Sequence, residues 1–298
     1  MKKPSHEPSP GPLLDRRSVF ALAAGSLATT VAPGAPRPAT RSAQLDPARP
    51  EDAWQILRKL QLRTDAGLVF WWIRGPSFGQ IGADLTPLYE MNYGLVQRVT
   101  PRADGGCDVR QIEMAFRTDL ETGQPLKTLR NPYTGESLPI RFDPVGPSDV
   151  HFSREHVPVV PEDLGGSKLK FEPVPSRPFV IGDTVYYRLR NRSVVSTPGA
   201  ADRVINDISM LTGPATQALD PHTTWVDAKL QSTDVTGWPR WMRMGDRPGG
   251  VTLRAVGGKL RRFADMPPDF LKMLQDARPD IAADPVAALD GPEATYRN

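Results

Sequence analysis

Along this 298-residue chain the apolar positions change period several times, and each change marks an element. Residues 46–63 put Trp54, Ile56, Leu57 and Leu60 on one helical side. Glu51 and Asp52 stand where the helix dipole favours acids, so the spacing predicts a helix packed across a sheet. Residues 68–73, L-V-F-W-W-I, are continuously apolar and of strand length, which implies burial on both faces. Residues 89–100 alternate, with Tyr89, Met91, Tyr93, Leu95 and Val99 on one face and Glu90, Asn92 and Arg98 on the other, as in a half-buried strand. After the turn Asp104-Gly105-Gly106, residues 109–118 set Ile112, Met114 and Phe116 against Gln111 and Glu113, continuing an antiparallel meander.

Mid-chain the pattern breaks at residues 130–147, R-N-P-Y-T-G-E-S-L-P-I-R-F-D-P-V-G-P. Asn131-Pro132 and Thr134-Gly135 are turn formers, and Pro139, which donates no backbone hydrogen bond, limits 137–142 to a short edge strand. Prolines recur so often over 144–178 that a long loop with short extended pieces is expected. Strand chemistry resumes at 179–190, with Val185, Tyr187 and Leu189 facing one way and Tyr186, Arg188 and Arg190 the other. Val204, Ile205, Ile208 and Leu211 fall at helical intervals and predict a short helix over 201–211. Residues 223–233 alternate again, apolar on the side of Val226, Ala228 and Leu230. Gly257-Gly258, between the runs 251–256 and 259–263, reads as a two-residue hairpin turn. Pro267-Pro268 opens a last helix that buries Phe270, Leu271 and Leu274 and stops at Pro279. Seven or more antiparallel strands without βαβ spacing give a mainly β (α+β) fold. The expected form is an antiparallel curved sheet or up-and-down barrel with a helix near each end, enclosing a cavity.

Charge changes the picture only at the N-terminus. The formal charge is +3, from 37 Lys and Arg against 34 Asp and Glu. Lys2, Lys3, Arg16, Arg17, Arg37 and Arg41 lie in the first 43 residues with Glu7 and Asp15, which leaves 31 basic against 32 acidic residues beyond them. A body so near neutrality gives no argument for nucleic acid as a partner. Asp15-Arg16-Arg17-Ser18-Val19-Phe20 precedes an uncharged run, 19–32, too short to span a bilayer and suited to a removable signal. The arginine pair resembles the twin-arginine export signal, although Val19 and Phe20 stand where that signal usually has Phe and Leu. Residues 1–43 are therefore read as a twin-arginine signal peptide and disordered leader, and 44–298 as a single β-rich domain. The twin-arginine translocation machinery would deliver it to the periplasm, or outside the cell, without stable membrane insertion. The only cysteine, Cys107, excludes an internal disulfide.

Two stretches carry a family resemblance: N-P-Y-T-G-E at 131–136 followed by D-P-V, and W-P-R-W-M-R-M-G-D-R-P-G at 238–249 followed by the G-G-K of 257–259. They resemble an uncharacterised bacterial family, mostly exported by the twin-arginine route and catalogued only as a domain of unknown function, family 1838. That resemblance implies no activity. No nucleophile elbow, Walker loop, dinucleotide fingerprint or paired-cysteine pattern is present. His151 and His156, five apart with Glu155 between them, do not make a zinc spacing, so neither a metal nor a cofactor is expected.

Among the carboxylates, Glu136 and Asp143 flank the short strand of the first motif. They either hold the corner through backbone amides, Arg130 and Arg141, or line a cavity mouth as acid or base, with Asp119 and His151 completing the catalytic candidates. In the second motif Trp238, Trp241, Met242 and Met244 beside Arg240, Arg243 and Arg247 either grip an aromatic, anionic molecule or form core and rim. The ligand-binding candidates are Trp71, Tyr93, Asn131, Tyr133, Tyr187, Trp238, Trp241, Met244 and Arg243. Two functions follow: a binding protein for a small apolar or aromatic molecule in a β-barrel-like cavity, or a hydrolase, lyase or isomerase using cavity carboxylates and a histidine. A purely structural envelope protein is the third. The arrangement of Trp71, Tyr93, Tyr187 and Trp241 around one concave space, and any carboxylate–histidine pair there, separates them.

Overall fold

The computed structural model describes residues 44–140, 142, 144–159, 163–164, 167–174, 176–197 and 202–292. The leader, Arg141 and Asp143 lie outside them. Helix α1 (Pro50–Gln61) opens with proline and with Glu51 and Asp52 in its first turn. Proline's missing N–H costs nothing there, and the dipole favours the acids. Strands β1 (Gly67–Ile81), β2 (Asp84–Pro101) and β3 (Cys107–Thr118) form a meander. β4 (Thr128–Arg130) and β5 (Ser137–Pro139) make a separate hairpin. β6 (Val145–Phe152) and β7 (Pro158–Val159) continue the sheet beyond β3. The second half comprises β8 (Asp163–Leu164), β9 (Ser167–Val174), β10 (Phe179–Ile181), β11 (Thr184–Ser196), β12 (Arg203–Pro214), one helical turn α2 (Ala215–Ala218), β13 (Lys229–Gly237) and β14 (Gly250–Leu260). Helices α3 (Pro268–Ala277), α4 (Pro279–Ala283) and α5 (Pro285–Leu289) close the described chain.

Every pairing is antiparallel, in the order β7-β6-β3-β2-β1-β14-β13-β12-β11-β9-β8, with β10 added to β11. Two meanders are thus joined where β1 meets β14, Trp71 opposite Lys259 and Ile73 opposite Gly257. Among the described residues β7 and β8 do not pair, and the sheet is a curled half-barrel. Its edges nevertheless approach: Val159 and Asp163 are four residues apart in the chain, a reach of about 14 Å at most. The curl also shows in the packing, because Leu95 of β2 and Leu189 of β11, five strands away, line the same void.

The concave face carries the main core. Ala53, Ile56, Leu57 and Leu60 of α1 are fully buried, and the last three join Trp71, Tyr93, Leu211 and Leu230 in one cluster. The C-terminal carbonyls of α1, which have no partner within the helix, are held by the sheet. Lys259 Nζ donates to the carbonyls of Lys59 (2.6 Å), Leu60 (3.2 Å) and Leu62 (2.8 Å), and Trp71 Nε1 donates to that of Gln61 (2.9 Å). Burial pushes the Lys259 pKa well below the lysine range, while the carbonyl cage and the Trp225 ring, 4.8 Å from Nζ, hold the group in place. On the convex face α3–α5 cover β1–β3: Phe270, Met273, Leu274, Ile281 and Leu289 pack with Phe70, Val96, Ile112, Met114 and Phe116. Gly94 permits the close approach, since a Cβ there would lie 2.4 Å from Phe270 Cζ.

Five expectations are corrected, beginning with two strand bounds: the strand expected over 223–233 starts only at Lys229, and the run 179–190 is split at Gly182 into β10 and the start of β11. Residues 201–211 belong to β12, not to a helix, because β11 and β13 supply a hydrogen-bond ladder on each side and so override the helical spacing. Gly257 and Gly258 are not a turn but lie inside β14, without positive φ; a Cβ on Gly257 would stand 2.5 Å from the Trp72 carbonyl oxygen. The proline-rich segment contributes β6 and β9, both paired in the sheet, so it is more than a loop. The helix near each end is as expected, and of the short edge strand expected over 137–142 the structure keeps Ser137–Pro139, paired with β4. Cys107 is buried, and that burial pushes its thiol pKa up, away from reactivity.

Candidate functional site

Alternation along β11–β14 aims three rows of side chains at the concave side. The middle row runs Ser77, Leu253, Asp234, Asp207 and Asn191 across five neighbouring strands. Beside it lie Val251, Thr236, Ile205 and Ser193, and on its other side Ala255, Ser232, Ser209 and Leu189. All of these residues are buried. A hydroxyl, amide and carboxyl patch thus sits inside a core of aliphatic and aromatic side chains, and a sheet needs no such groups on its buried face.

Asp207 and Asp234 are register partners on adjacent strands, 1% and 3% exposed. Two carboxylates that close in a dry setting do not both ionise readily. Burial first, and then the charge of Asp234, hold the Asp207 pKa well above the carboxylate range, against a 2.5 Å hydrogen bond from Ser209 Oγ that favours the ionised form. Ser232 Oγ donates to Asp234 Oδ1 at 3.1 Å. Burial and the facing carboxylate thus favour the protonated form of Asp207. Around them, Ser193 Oγ, Thr236 Oγ1 and both amide atoms of Asn191 are buried without completing a hydrogen bond among the described residues. The Asn191 amide lies near enough to Asp207 to favour its ionised form slightly, but the geometry falls short of a bond. Each buried polar atom left so costs about 1–3 kcal/mol, which marks the patch as a place for water or a guest.

The apolar half adjoins this patch. A void of about 30 Å³ is lined by Trp71, Ile73, Leu95, Leu189, Leu211 and Leu230 together with Gln61, Gln97 and Ser209. At the strand ends a hollow of about 310 Å³ opens beside Thr236, between Asn206, Val235, Gly237 and Gly250. A third hollow, about 340 Å³, lies outside α1 near Arg49, Trp54 and Arg58. Its charges are already answered, Arg49 by Glu51 at 2.7 Å and Arg58 by the carbonyls of Gly105 and Ser153.

Of the residues singled out in the sequence, Trp71, Tyr93 and Tyr187 are buried on the concave face, and Trp241 packs against the same core. Tyr187 hydroxyl donates to the Ser176 carbonyl (3.0 Å), and burial raises its pKa to about 12. Trp241 stands 6.1 Å from the Tyr89 ring, with the Arg117 guanidinium 5.0 Å over it. The two motifs, a hundred residues apart in the chain, dock on each other. Asn131, fully buried, donates Nδ2 to the Met242 carbonyl (2.8 Å) and to Met244 Sδ (3.3 Å), while its Oδ1 accepts from the Tyr133 amide (2.9 Å). The Tyr133 ring meets Trp238 edge-on at 5.1 Å, and Arg247 donates to the Tyr133 carbonyl. Arg243 lies outside this clamp, exposed and 3.6 Å from Glu136.

The catalytic candidates are scattered. Glu136 is half exposed beside Arg243. Asp119 caps its own turn, accepting from the amides of Glu121 and Thr122, and those bonds lower its pKa. His151 Nδ1 is 2.8 Å from Asp108 at the surface. Asp143 is outside the described residues. None of the first three lies in the concave rows, where the titratable pair is Asp207 and Asp234. Sequence reading passed over that pair; its signal was Asp207 and Ser209 on one strand and Ser232, Asp234 and Thr236 on the next, polar residues at inward positions.

Residues 206–297 match the model of a family described as a protein of unknown function (DUF1838). The matched span includes Asp207, Asp234, the second motif and α3–α5. The first motif lies outside it and is tied to it by the Asn131 to Met242 hydrogen bond. Neither the curated proteins nor the solved structures give any match.

Proposed function

We propose that the concave face of the half-barrel binds a small, largely apolar molecule whose polar end meets the Asp207–Asp234 pair. The observation carrying this reading is the set of buried, unanswered atoms on Asn191, Ser193 and Thr236 beside an apolar void. The chemistry of the patch restricts the guest. Two buried carboxyls with no cationic side chain in their three rows disfavour an anion and suit hydroxyl or amine groups. The 30 Å³ void holds a water or two. A larger guest enters as the motif clamp or α1 shifts. Native mass spectrometry of the protein from its own source should show a retained small molecule. Asn191→Leu should release it without lowering the melting temperature, because it removes two buried unpaired atoms and creates no new one. An interior that is always empty, or a guest held equally by the variant, would sink the idea.

A second reading is favoured by the facing carboxyls, of which burial keeps Asp207 protonated: one could give a proton while the other takes one, the chemistry of a hydrolase, lyase or isomerase. The same measurement decides it, since a substrate would change mass or fragmentation on incubation and a mere guest would not.

The address belongs to the same proposal and rests on the leader sequence alone. Changing Arg16→Lys and Arg17→Lys together should leave the unprocessed chain in the cytoplasm, read by fractionation and immunoblot. Export unchanged by the double substitution would exclude the twin-arginine route.

A further inference from the structure

The outward positions of β11–β14 form a surface that α3–α5 leave uncovered. On β11 they are the exposed Arg188, Arg190 and Arg192, and on β14 the exposed Arg254 and Val256. Between them stand Ile208 of β12, 51% exposed, and Val235 of β13; Val256 is 59% exposed. The register makes them neighbours: Arg190 opposes Ile208, Ile208 opposes Thr233, and Thr233 opposes Arg254. Lys229 of β13 adds to the basic field, and Lys170 stands on the flanking β9. No outward position of β11–β14 carries a carboxylate. The nearest acid in the sheet, Glu172 of β9, is engaged by Lys170 at 2.6 Å and Arg192 at 2.7 Å.

The covered half of the same convex face is different. There Arg74 meets Glu90 (2.6 Å) and Asp269 of α3 (3.3 Å), Arg98 meets Asp290 (2.5 Å), and Arg110 meets Asp149 (2.7 Å). On the open half, Arg190 and Arg254 make no ion pair among the described residues, and Arg188 reaches only the Phe179 ring, 5.9 Å away. A near-neutral chain therefore places a one-sign field, studded with branched aliphatic side chains, on a single surface.

We propose that this face docks on an anionic lipid surface. Guanidinium groups match phosphate geometry by paired hydrogen bonds. Ile208, Val235 and Val256 would sit at headgroup level, a contribution that binding to a soluble polyanion would not use. Docking of this kind is peripheral, and no described helix is long and apolar enough to cross a bilayer.

The test is sedimentation of the intact protein with vesicles of mixed phosphatidylglycerol and phosphatidylcholine, and with phosphatidylcholine alone. Binding is expected to the mixed vesicles only and should weaken as salt is raised. Each basic side chain near such a surface strengthens binding roughly fivefold, so reversing Arg188→Glu, Arg190→Glu and Arg192→Glu together should weaken it by on the order of a hundredfold or more. These positions point outward, so the melting temperature should hold. Should it fall, Ile208→Ser with Val256→Ser replaces the triple variant, and several-fold weaker binding is expected from it. No binding to the mixed vesicles, equal binding to both kinds, or binding to heparin alone would overturn the proposal, the last assigning the face to a polyanion.

Discussion

Asp207→Asn protein should melt at a higher temperature than wild type at pH 8, with the gap closing as the pH falls toward 4. A carboxyl whose folded-state pKa lies above its unfolded value binds more protons folded than unfolded, so the contribution of Asp207 to wild-type stability is greatest in acid. That contribution declines as pH rises from about 4 through the folded-state pKa, at up to about 1.4 kcal/mol per pH unit, and the variant comparison cancels groups such as the buried His156 that both proteins keep. Burial and the facing charge of Asp234 put Asp207 in this class. Asparagine keeps the acceptor for Ser209 Oγ, adds a donor toward Asp234, and removes the carboxyl that would otherwise have to ionise in a buried setting as pH rises. Replacing buried ionic groups by neutral ones of similar shape often stabilises by about 1–4 kcal/mol, a rise of several degrees at this chain length. The surface carboxylates do not blur the window. Asp265 and Asp280 are held down by hydrogen bonds from Arg262 and Arg278, and Asp280 to about 2. Their contribution is present above about pH 4 and is lost only below it. Thermal melts of both proteins from pH 4 to 9 give the answer, and parallel curves would show that the pair does not hold a proton.

Lys259→Met should cost far more than any surface change, about 3–5 kcal/mol. The methionine fills most of the volume but strips the donors from three buried carbonyls at the end of α1. Helix α1 closes one end of the concave face, and Lys59, from the same helix, holds the carbonyls of Gln217 and Asp220. Loosening α1 therefore loosens the α2 turn as well. Denaturant unfolding followed by tryptophan fluorescence measures the loss. A midpoint within error of wild type would mean that water satisfies those carbonyls and that α1 is docked by its apolar face alone.

These two positions show where a linear reading stops. Lys259 sits in a run, G-G-K-L, that looks like a hairpin turn followed by a polar residue at a strand start. The glycines belong instead to a strand because backbone from β1 approaches too closely for side chains. Asp207 lay hidden for a related reason: Val204, Ile205, Ile208 and Leu211 satisfy a helical period, and on that reading Asp207 faces solvent. Tyr93 and Tyr187, by contrast, were legible as inward-facing, since strict alternation along β2 and β11 leaves them only one buried side. The two motifs were legible as special, but not as partners.

What the amino-acid order determined by itself is local: the amphipathic start of α1, alternation along the strands, the turn at Asn131, and the helix opened by Pro267 and Pro268. Each is a matter of periodicity or backbone chemistry within a dozen residues. Which inward positions meet across strands was decided only in three dimensions, by the register of β11–β14 and by the curl that sets β2 against β11. Opposed carboxyls, caged carbonyls and an uncovered arginine field arise from pairings between residues far apart in the chain, and one-dimensional spacing carries no information about those distances.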